Sequence, residues 1–308
     1  MQDMLGNYIR PTPLIQLDTG LSDRRIFLKL ETQPPIGAFK IRPALGAILL
    51  RDPSDLARGV ATVSSGNLAY GLAWAAQALK IPMVAYMTRD APQSKIDGVR
   101  HLGGEIRFVS QEQWWRFITQ ETTPDQPEVF INPVADPGVL AGNGSIGMEL
   151  MDQLPELSSI WAPFGGGSLI TGIAAGLRVR GSEADIFAVE SDHAAPATAA
   201  LTTGEICEVP VRPSFIRSMG GPTVVPQLWP LTREILSGTA VLTESEIAAA
   251  VRVLFYDAKV VAEGAGAAAL AAVLRDKRAT GDVVCIISGG NIDLVDYLEV
   301  LQGNIPHV

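Results

Sequence analysis

Short apolar runs rich in β-branched residues alternate along the chain with longer segments whose apolar residues recur at helical spacing. The predicted strands are IFLKL (26–30), GVATV (59–63), PMVAYM (82–87), EIRFV (105–109), VFIN (129–132), SIWAPF (159–164), DIFAVE (185–190) and DVVCIIS (282–288). The predicted helices include residues 68–79, 93–102, 139–153 and 168–180, and another begins at Thr243, where Glu246 completes a capping box. Because these strands are almost continuously apolar, the pattern predicts an α/β fold with parallel sheets covered on both faces.

The composition narrows the class of protein. The chain has 308 residues, of which 33 are acidic and 24 basic, so its formal net charge is −9. That balance argues against a nucleic-acid-binding protein, which needs a basic face to replace the counterions of the phosphates. Two cysteines, Cys207 and Cys285, imply no disulfide framework, and the three histidines lack the spacing of zinc ligands.

The sequence gives no signal for a membrane or for secretion. The first ten residues, MQDMLGNYIR, lack the basic-then-apolar pattern of a signal peptide. Residues 61–79 and 158–177 are uncharged and about long enough to cross a bilayer, but each is interrupted by Ser and Gly. Each segment is better explained as a strand, a Gly turn and a helix. We expect a cytoplasmic protein that does not contact a membrane.

One glycine-rich motif, GGGSLITG (165–172), directly follows a predicted strand and opens a predicted helix. Consecutive glycines let backbone amides turn toward a ligand, and the helix N-terminus adds positive potential, so the motif suits a phosphate. The spacing is neither that of the dinucleotide fingerprint nor that of a P-loop. A tight turn that only packs a helix against a strand remains an equal alternative.

Three further motifs lie at or near strand ends. SSGN (64–67) follows an apolar strand and offers amide and hydroxyl donors to an anion such as a carboxylate, or it simply caps a helix. Lys40, beside Phe39 and after a Pro-Gly-rich turn, is either a partly desolvated amine able to form a Schiff base or a solvated surface charge. ISGGN (287–291) is a Ser-Gly-Gly turn or an ordinary loop. Together with the glycine-rich motif, these features fit one crevice of an open α/β protein.

At these motifs the chain resembles the fold-type II pyridoxal-phosphate enzymes, in particular the threonine/serine dehydratase and serine racemase branch. AFKIRPA (38–44) resembles the Ser-Phe-Lys-x-Arg-Gly-Ala stretch of that branch, SSGN its substrate-carboxylate loop, PFGGGSL (163–169) its phosphate loop, and ISGGN the turn beside the pyridine nitrogen. Further similar stretches follow the same order, namely APQSKIDGVRHLGGEI (91–106), NPVADPGVLAGNGSIGMEL (132–150) and AEGAGA (262–267).

The resemblance implies a fold, a cofactor and a set of site residues. It implies a large domain of residues 1–52 and 138–308 and a small inserted α/β domain of residues 53–137, with pyridoxal 5′-phosphate in the cleft between them. The implied catalytic residues are Lys40, which would hold the cofactor as a Schiff base and remove the Cα proton, and Ser65. The implied cofactor-binding residues are Phe39, Lys40, Asn67, Gly165, Gly166, Gly167, Ser168, Leu169, Glu263 and Ser288. The implied substrate-binding residues are Ser64, Ser65, Gly66, Asn67 and Leu68.

The reaction implied by the resemblance is that of an ammonia-lyase. The substrate would be a small β-hydroxy amino acid of the threonine, serine or 3-hydroxyaspartate type, and the products a 2-oxo acid and ammonia. Ser288, a neutral partner for the ring nitrogen, would weaken the electron sink and favour prompt loss of the β-hydroxyl. Because relatives are usually dimers, a homodimer that binds no partner beyond a small amino acid is expected.

Three alternatives stay open from the sequence. An amino-acid racemase needs a second acid/base on the opposite face of the substrate, and Ser65 is placed to be one. A β-replacement synthase would more usually show an Asn-Pro…Ser-x-Lys-Asp-Arg stretch and Thr-Ser-Gly-Asn, which this chain lacks. A catalytically idle binding protein on the same scaffold is the third alternative, and the presence of Lys40 with all the loops argues against it.

The chain also departs from the branch. Ala38 and Pro43 stand where Ser and Gly are usual, Leu68 and Tyr70 replace a His and a Gln, and Ser168 replaces a fourth Gly. We therefore expect an altered substrate side of the pocket.

A metal site is a further difference. Relatives often hold a divalent cation with an acid like Glu190 and a second acid six residues later, and Pro196 occupies that second position here. No metal is predicted, because Pro196 cannot supply the second carboxylate that a hard cation prefers.

Overall fold

The computed structural model describes residues 1–91, 93–119, 124–125 and 128–306. The strands are β1 (Leu14–Leu17), β2 (Arg24–Leu30), β3 (Val60–Val63), β4 (Met83–Thr88), β5 (Glu105–Val109), β6 (Val129–Ile131), β7 (Ser159–Pro163), β8 (Asp185–Ser191), β9 (Gly238–Leu242) and β10 (Gly281–Ile287). The helices are α1 (Gln2–Leu5), α2 (Ile41–Leu49), α3 (Asn67–Leu79), α4 (Gln93–His101), α5 (Gln111–Ile118), α6 (Pro137–Gln153), α7 (Ser168–Val179), α8 (Pro196–Thr203), α9 (Trp229–Ile235), α10 (Glu244–Tyr256), α11 (Gly264–Arg275) and α12 (Leu294–Leu301).

The strands of the described residues form two sheets. The larger has six strands in the order β1-β2-β10-β7-β8-β9, and only the β1–β2 pair is antiparallel. The smaller has four parallel strands in the order β5-β4-β3-β6. The predicted α/β fold with mostly parallel sheets is therefore confirmed. The strands of the smaller sheet all lie within residues 53–137, but the division of the chain into two domains stays a prediction.

Every predicted strand is present, and its ends differ from the prediction by at most two residues. The strands β1 and β9 were not predicted. Both are edge strands, β1 is only four residues long, and neither is buried along its whole length, so the continuous apolar pattern of a central strand is missing. The predicted capping box is confirmed, because Thr243 Oγ1 accepts from Glu246 N at 3.3 Å and Glu246 Oε2 accepts from Thr243 N at 2.8 Å.

Three helices that carry functional loops pack at close range through glycines. A Cβ on Gly142 of α6 would overlap the carbonyl of Arg42 in α2. A Cβ on Gly176 of α7 would overlap the carbonyl of Gly144 in α6. Only glycine permits these backbone approaches, which fix α2 against α6 and α6 against α7. The segments that precede α2 and α7 are therefore held in one rigid stack.

A cluster of four buried charges anchors α2 to the larger sheet. Arg42 Nε donates to Glu31 Oε2 and Arg42 Nη1 to Glu149 Oε1, each at 2.7 Å, and Lys29 Nζ donates to Glu149 Oε2 at 2.7 Å. The two cations and two anions balance, which a buried cluster requires. Since Arg42 lies two residues after Lys40, the cluster fixes the start of α2 beneath the candidate site.

The two uncharged segments noted in the sequence each fold as a strand, a turn and a helix, as predicted. Residues 61–79 contain most of β3 followed by α3, and residues 158–177 contain β7 followed by most of α7. Among the described residues, no helix is both long and apolar enough to cross a bilayer.

Candidate active site

A cavity of about 630 Å³ lies at the carboxyl ends of strands from both sheets. Ser64 directly follows β3, Ser288 directly follows β10, and Gly165 lies two residues after β7. Ligands of open α/β proteins bind where such strand ends meet. All the site residues predicted from the sequence line this one cavity, namely Phe39, Lys40, Ser64, Ser65, Gly66, Asn67, Leu68, Gly165, Gly166, Gly167, Ser168, Leu169, Glu263 and Ser288.

Lys40 is the N-cap residue of α2 and faces the cavity. Burial lowers the pKa of its ammonium to about 8, against the opposing attraction of the Glu263 carboxylate. The Lys40 Nζ lies 4.7 Å from the centre of the Phe39 ring, which supplies part of that apolar surrounding. Lys40 is therefore not a solvated surface charge. A substantial share of its amine is neutral near physiological pH, as a nucleophile or a general base requires.

Four helices begin at this cavity, and in the described structure none of the four has a side-chain cap. They are α2 after Lys40, α3 after Gly66, α7 after Gly167 and α11 after Glu263. The first peptide N–H groups of a helix carry partial positive charge and lack intrahelical partners. The cavity is thus suited to a ligand with more than one anionic group, although the protein as a whole is acidic.

The glycine-rich loop before α7 presents bare backbone. Gly167 has φ +89°, a left-handed conformation that favours glycine. A Cβ on Gly166 would come within 2.6 Å of a Val134 methyl group, so packing accounts for that glycine. A Cβ on Gly165 would lie 3.8 Å from Met219 Cα and from Ser218 O, which is ordinary contact, so packing does not require that glycine. The loop therefore serves both as a packing turn and as an open row of amides at a helix N-terminus.

The serine-rich loop between β3 and α3 is tied to the neighbouring strand. Ser65 Oγ lies 2.9 Å from Thr88 Oγ1 and accepts from Thr88 N at 3.1 Å. Ser64 Oγ accepts from Gly66 N at 3.3 Å. A Cβ on Gly66 would meet no atom within 4 Å, so this loop has open space in front of its backbone. The loop can accommodate a small carboxylate, with the Ser65 hydroxyl turned toward Thr88.

Glu263 is the main acidic group facing Lys40. Burial raises the pKa of the Glu263 carboxyl to about 7, although Lys95, Ser218 and Lys40 act in the opposite direction. Ser218 Oγ donates to Glu263 Oε2 at 3.2 Å, and Asn67 Nδ2 donates to Oε1 at 3.4 Å. A carboxyl with such a pKa is partly protonated near neutral pH and can exchange a proton there.

Ser288 lies at the end of β10 and is buried. Its carbonyl accepts from the Phe39 amide at 3.0 Å, and Ala38 forms a β-bridge with Gly289. These backbone contacts hold the turn after β10 beside the residue that precedes Lys40. The side chain offers a neutral hydroxyl and no charge.

Two polar residues of the cavity, Lys95 and Asn291, were not predicted from the sequence. Lys95 Nζ donates to Asn67 Oδ1 at 2.9 Å, and Asn291 Nδ2 donates to the same oxygen at 2.9 Å. Both residues line the cavity. Both residues lie in stretches that the sequence analysis noted, since Lys95 belongs to APQSKIDGV and Asn291 ends the motif ISGGN. Neither residue has a local feature that indicates a role of its own.

Glu190 lies outside the set of described residues that line the cavity. Its Oε1 accepts from Ala197 N at 2.8 Å, and its Oε2 accepts from Thr198 N at 2.8 Å and from Thr198 Oγ1 at 2.6 Å. The carboxylate therefore bonds the first amides of α8, the helix that Pro196 opens. Among the described residues no group of three or more His, Cys, Asp or Glu side chains is placed to hold a metal ion.

Comparisons with known proteins decide which ligand this cavity takes. The family described as "Pyridoxal-phosphate dependent enzyme" matches residues 5–289. The chain belongs to this family. The enzyme is 35% identical over 281 residues to the L-threonine ammonia-lyase of Geobacter sulfurreducens, with 90% of this chain and 70% of that protein covered. It is 33% identical over 310 residues to the serine racemase of Arabidopsis thaliana, with 95% and 91% covered.

The fold agrees with the sequence relatives. The structure of maize serine racemase superimposes with a TM-score of 0.87 at 28% identity, covering 98% of this chain and 94% of that one. The predicted resemblance to fold-type II pyridoxal-phosphate enzymes and the predicted cofactor are confirmed. The roles of individual site residues stay predictions.

The residues present fit pyridoxal phosphate. The cofactor has an aldehyde that needs an amine, a phosphate that needs donors, and a ring nitrogen and a phenolic oxygen that need polar partners. Lys40 supplies a partly neutral amine, and the Gly165–Gly167 backbone lies bare at the uncapped start of α7. Asn67 and Ser288 supply the polar partners in the same cavity.

Proposed function

We propose that this enzyme is a pyridoxal-phosphate-dependent ammonia-lyase that converts a small β-hydroxy amino acid to a 2-oxo acid and ammonia. Threonine, serine and 3-hydroxyaspartate define the substrate type. One observation carries the proposal: the amine of Lys40, with its pKa lowered to about 8, lies in the same cavity as uncapped helix starts suited to two anionic groups. Those groups are the cofactor phosphate and the substrate carboxylate.

Distinct parts of the cavity would hold the cofactor and the substrate. Lys40 would bind the cofactor covalently, and the amides from Gly165 to Leu169 would bind its phosphate, with Ser168 adding a hydroxyl. Asn67 would bind the phenolic oxygen and Ser288 the ring nitrogen. The loop Ser64–Gly66 would bind the substrate carboxylate at the start of α3 and so fix the direction of the Cα–H bond.

When bound, the cofactor supplies an electron sink that makes the substrate Cα proton acidic. The amine of Lys40 accepts that proton, since its lowered pKa leaves part of it neutral at physiological pH. Glu263, with a pKa of about 7, is the acid nearest in strength to neutral and can deliver a proton to a leaving hydroxyl. The Ser288 hydroxyl keeps the ring nitrogen without a charged partner, which favours elimination.

Racemisation is the second candidate, because the maize and Arabidopsis relatives are serine racemases. It would need a proton donor on the face of the substrate opposite Lys40, and Ser65 is the predicted group. In the structure the Ser65 hydroxyl bonds Thr88. Ser65 would have to release Thr88 before it could exchange a proton with the substrate, so elimination is favoured over racemisation.

The decisive experiment is a panel of L- and D-forms of threonine, serine and 3-hydroxyaspartate with the purified holoenzyme. We expect 2-oxo acid and ammonia in equal amounts, with at most slow appearance of the opposite amino-acid enantiomer. Lys40→Ala should abolish both reactions, and Lys277→Ala, at an exposed lysine, should abolish neither. Racemisation faster than ammonia release would replace the proposal by the racemase reading, and activity in Lys40→Ala would contradict both.

We also propose a cytoplasmic homodimer. Both cysteines are free in the structure, which suits a reducing compartment. Leu294, Val295 and Leu298 of α12 are exposed, and a row of exposed apolar side chains is typical of a surface that another protein covers. Light scattering of the purified protein would test the mass, and a monomer at micromolar concentration would contradict the dimer.

A further inference from the structure

The amide of Asn67 at the start of α3 has one side turned to protein and the other to the cavity. Asn291 Nδ2 donates to the Ile36 carbonyl at 2.8 Å. A carbonyl oxygen only accepts, so the atom of Asn291 that faces it must be the nitrogen. The same nitrogen lies 2.9 Å from Asn67, and the Asn67 atom that it meets must therefore be the oxygen.

Lys95 of α4 gives a second and independent constraint. Its ammonium lies 2.9 Å from the same atom of Asn67. An ammonium has three donors and no acceptor, so it too requires an oxygen at that position. The orientation of the Asn67 amide thus follows from the chemistry of two separate neighbours.

The consequence is that the nitrogen of Asn67 points away from both neighbours. Among the described residues it donates to Glu263 Oε1 at 3.4 Å, which is long for an amide donor. An amide nitrogen carries two N–H groups, so Asn67 retains donor capacity at a cavity-lining position. That is the arrangement which an anionic oxygen of a ligand needs.

The Lys95 ammonium can bind the Asn67 oxygen strongly because its surroundings are partly shielded from water. Burial lowers the pKa of the Lys95 ammonium, and the carboxylates of Glu263 in the α11 cap and Asp293 in the α12 cap act in the opposite direction. A hydrogen bond from a charged donor is roughly twice as strong as one between neutral groups. Lys40, the other lysine among the described residues that line the cavity, precedes α2 as its N-cap residue.

We propose that Lys95 is a positioning residue, which together with Asn291 holds the Asn67 amide as a hydrogen-bond donor to the phenolic oxygen of the cofactor. Lys95 acts through Asn67 and need not contact the reacting atoms. The inference rests on the proposed function only in its assignment of Asn67 to the phenolic oxygen. It assigns a task to a partly buried lysine that the sequence motifs left without one.

The first test measures cofactor binding and absorbance in the absence of substrate. In Lys95→Met the Asn67 amide keeps only the neutral hydrogen bond from Asn291 and is held less firmly, so we expect roughly tenfold weaker cofactor binding, the equivalent of one charge-assisted hydrogen bond. The visible band of the bound cofactor should also fall relative to its near-ultraviolet band, because the ionised phenolic oxygen has lost its donor. Lys95→Arg, which retains charge and donors, should restore most of both properties, and Lys277→Met at an exposed site should match wild type.

A second variant distinguishes the loss of the Asn67 donor from a folding defect. Asn67→Asp keeps two oxygens to accept from Lys95 and Asn291 but has no N–H to offer the cavity. We expect the same loss of the visible band as in Lys95→Met with a cooperative melting transition, at a somewhat lower temperature because the new oxygen faces Glu263 Oε1.

A double-mutant cycle separates positioning from a general structural role. If Lys95 acts through Asn67, Lys95→Met should change the band ratio in the wild-type background and leave it unchanged in an Asn67→Ala background. Equal effects in both backgrounds would overturn the proposal, as would a Lys95→Met protein with wild-type affinity and spectrum. Either result leaves the lyase proposal intact, whereas a wild-type protein that takes up no cofactor would remove both proposals.

Discussion

The lowered pKa of Lys40 leads to a quantitative prediction about cofactor capture by the apoenzyme. Only the neutral amine attacks the cofactor aldehyde, so the capture rate should follow the neutral fraction of Lys40 as pH changes. With the pKa at about 8 rather than 10.5, the capture rate should level off above about pH 9 and fall below it. An ordinary lysine would still be gaining reactivity well above that pH.

The size of the effect follows from the two pKa values. Near pH 7 a lysine with a pKa of about 8 is roughly 9% neutral, whereas one at 10.5 is roughly 0.03% neutral, a ratio of about 300. Glu263 is ionised when Lys40 titrates, because the pKa of its carboxyl is about 7. Its negative charge raises the pKa of Lys40, so Glu263→Gln should lower that pKa and shift the midpoint of capture to lower pH.

Stopped-flow absorbance of apoenzyme mixed with pyridoxal phosphate, between about pH 6 and about pH 10, measures the capture rate directly. Borohydride reduction followed by peptide mapping should place the pyridoxyl label on Lys40, and Lys40→Ala should show no capture. Free Nα-acetyl-lysine under the same conditions provides the reference for an unperturbed amine.

Three results would refute this reasoning. A capture rate that keeps rising to the midpoint of free lysine would mean that the cavity does not desolvate Lys40. A midpoint that Glu263→Gln moves upward would mean that Glu263 does not act on Lys40 through its charge. A label on any other lysine would remove the assignment of Lys40 altogether.

The remaining predictions concern the ring nitrogen, cations and the buried charges. Ser288→Asp should retain the cofactor, slow elimination at least about tenfold and produce a new long-wavelength band, and an unchanged rate without that band would contradict the role of Ser288. Chelator should not lower activity, and a loss that magnesium reverses would contradict the reading of Glu190. Arg42→Leu should destabilise the fold by about 3–5 kcal/mol in urea unfolding, because it leaves buried charges unpaired, while Arg180→Gln at an exposed pair should cost about 0–1 kcal/mol. Equal losses in the two variants would refute the argument from burial.

The cofactor loops could be predicted from the sequence because each is a contiguous motif at the end of an apolar strand. Gly165 and Ser288 follow strands whose apolar residues are consecutive in the chain, so strand, turn and helix are visible together. The sheet then brings the carboxyl ends of parallel strands to one edge without further information. Local signals and sheet geometry were enough to gather these residues in one cavity.

Side-chain networks could not be predicted in this way, because their members are far apart in the chain. Lys29 lies near the end of the apolar strand β2, and its partner Glu149 is 120 residues away on α6. Lys95 meets Asn67 only because α4 and α3 cover the same small sheet. Neither lysine has a local pattern that distinguishes it from a solvated surface charge, so burial and partner are known only from the structure.

The environment of Glu190 could be only partly predicted from the sequence. From the sequence it follows only that Pro196 cannot supply a second carboxylate to a cation. The structure adds that the same proline opens α8 and that Glu190 bonds the next two amides of that helix and the Thr198 hydroxyl. A helix N-terminus attracts a carboxylate as a cation does, since its amides carry partial positive charge. The start of α8 therefore offsets part of the cost of burying Glu190, although burial still raises the pKa of its carboxyl. Glu190→Gln turns an amide N–H toward one of these donors, so it should destabilise the fold whether or not a divalent cation is added.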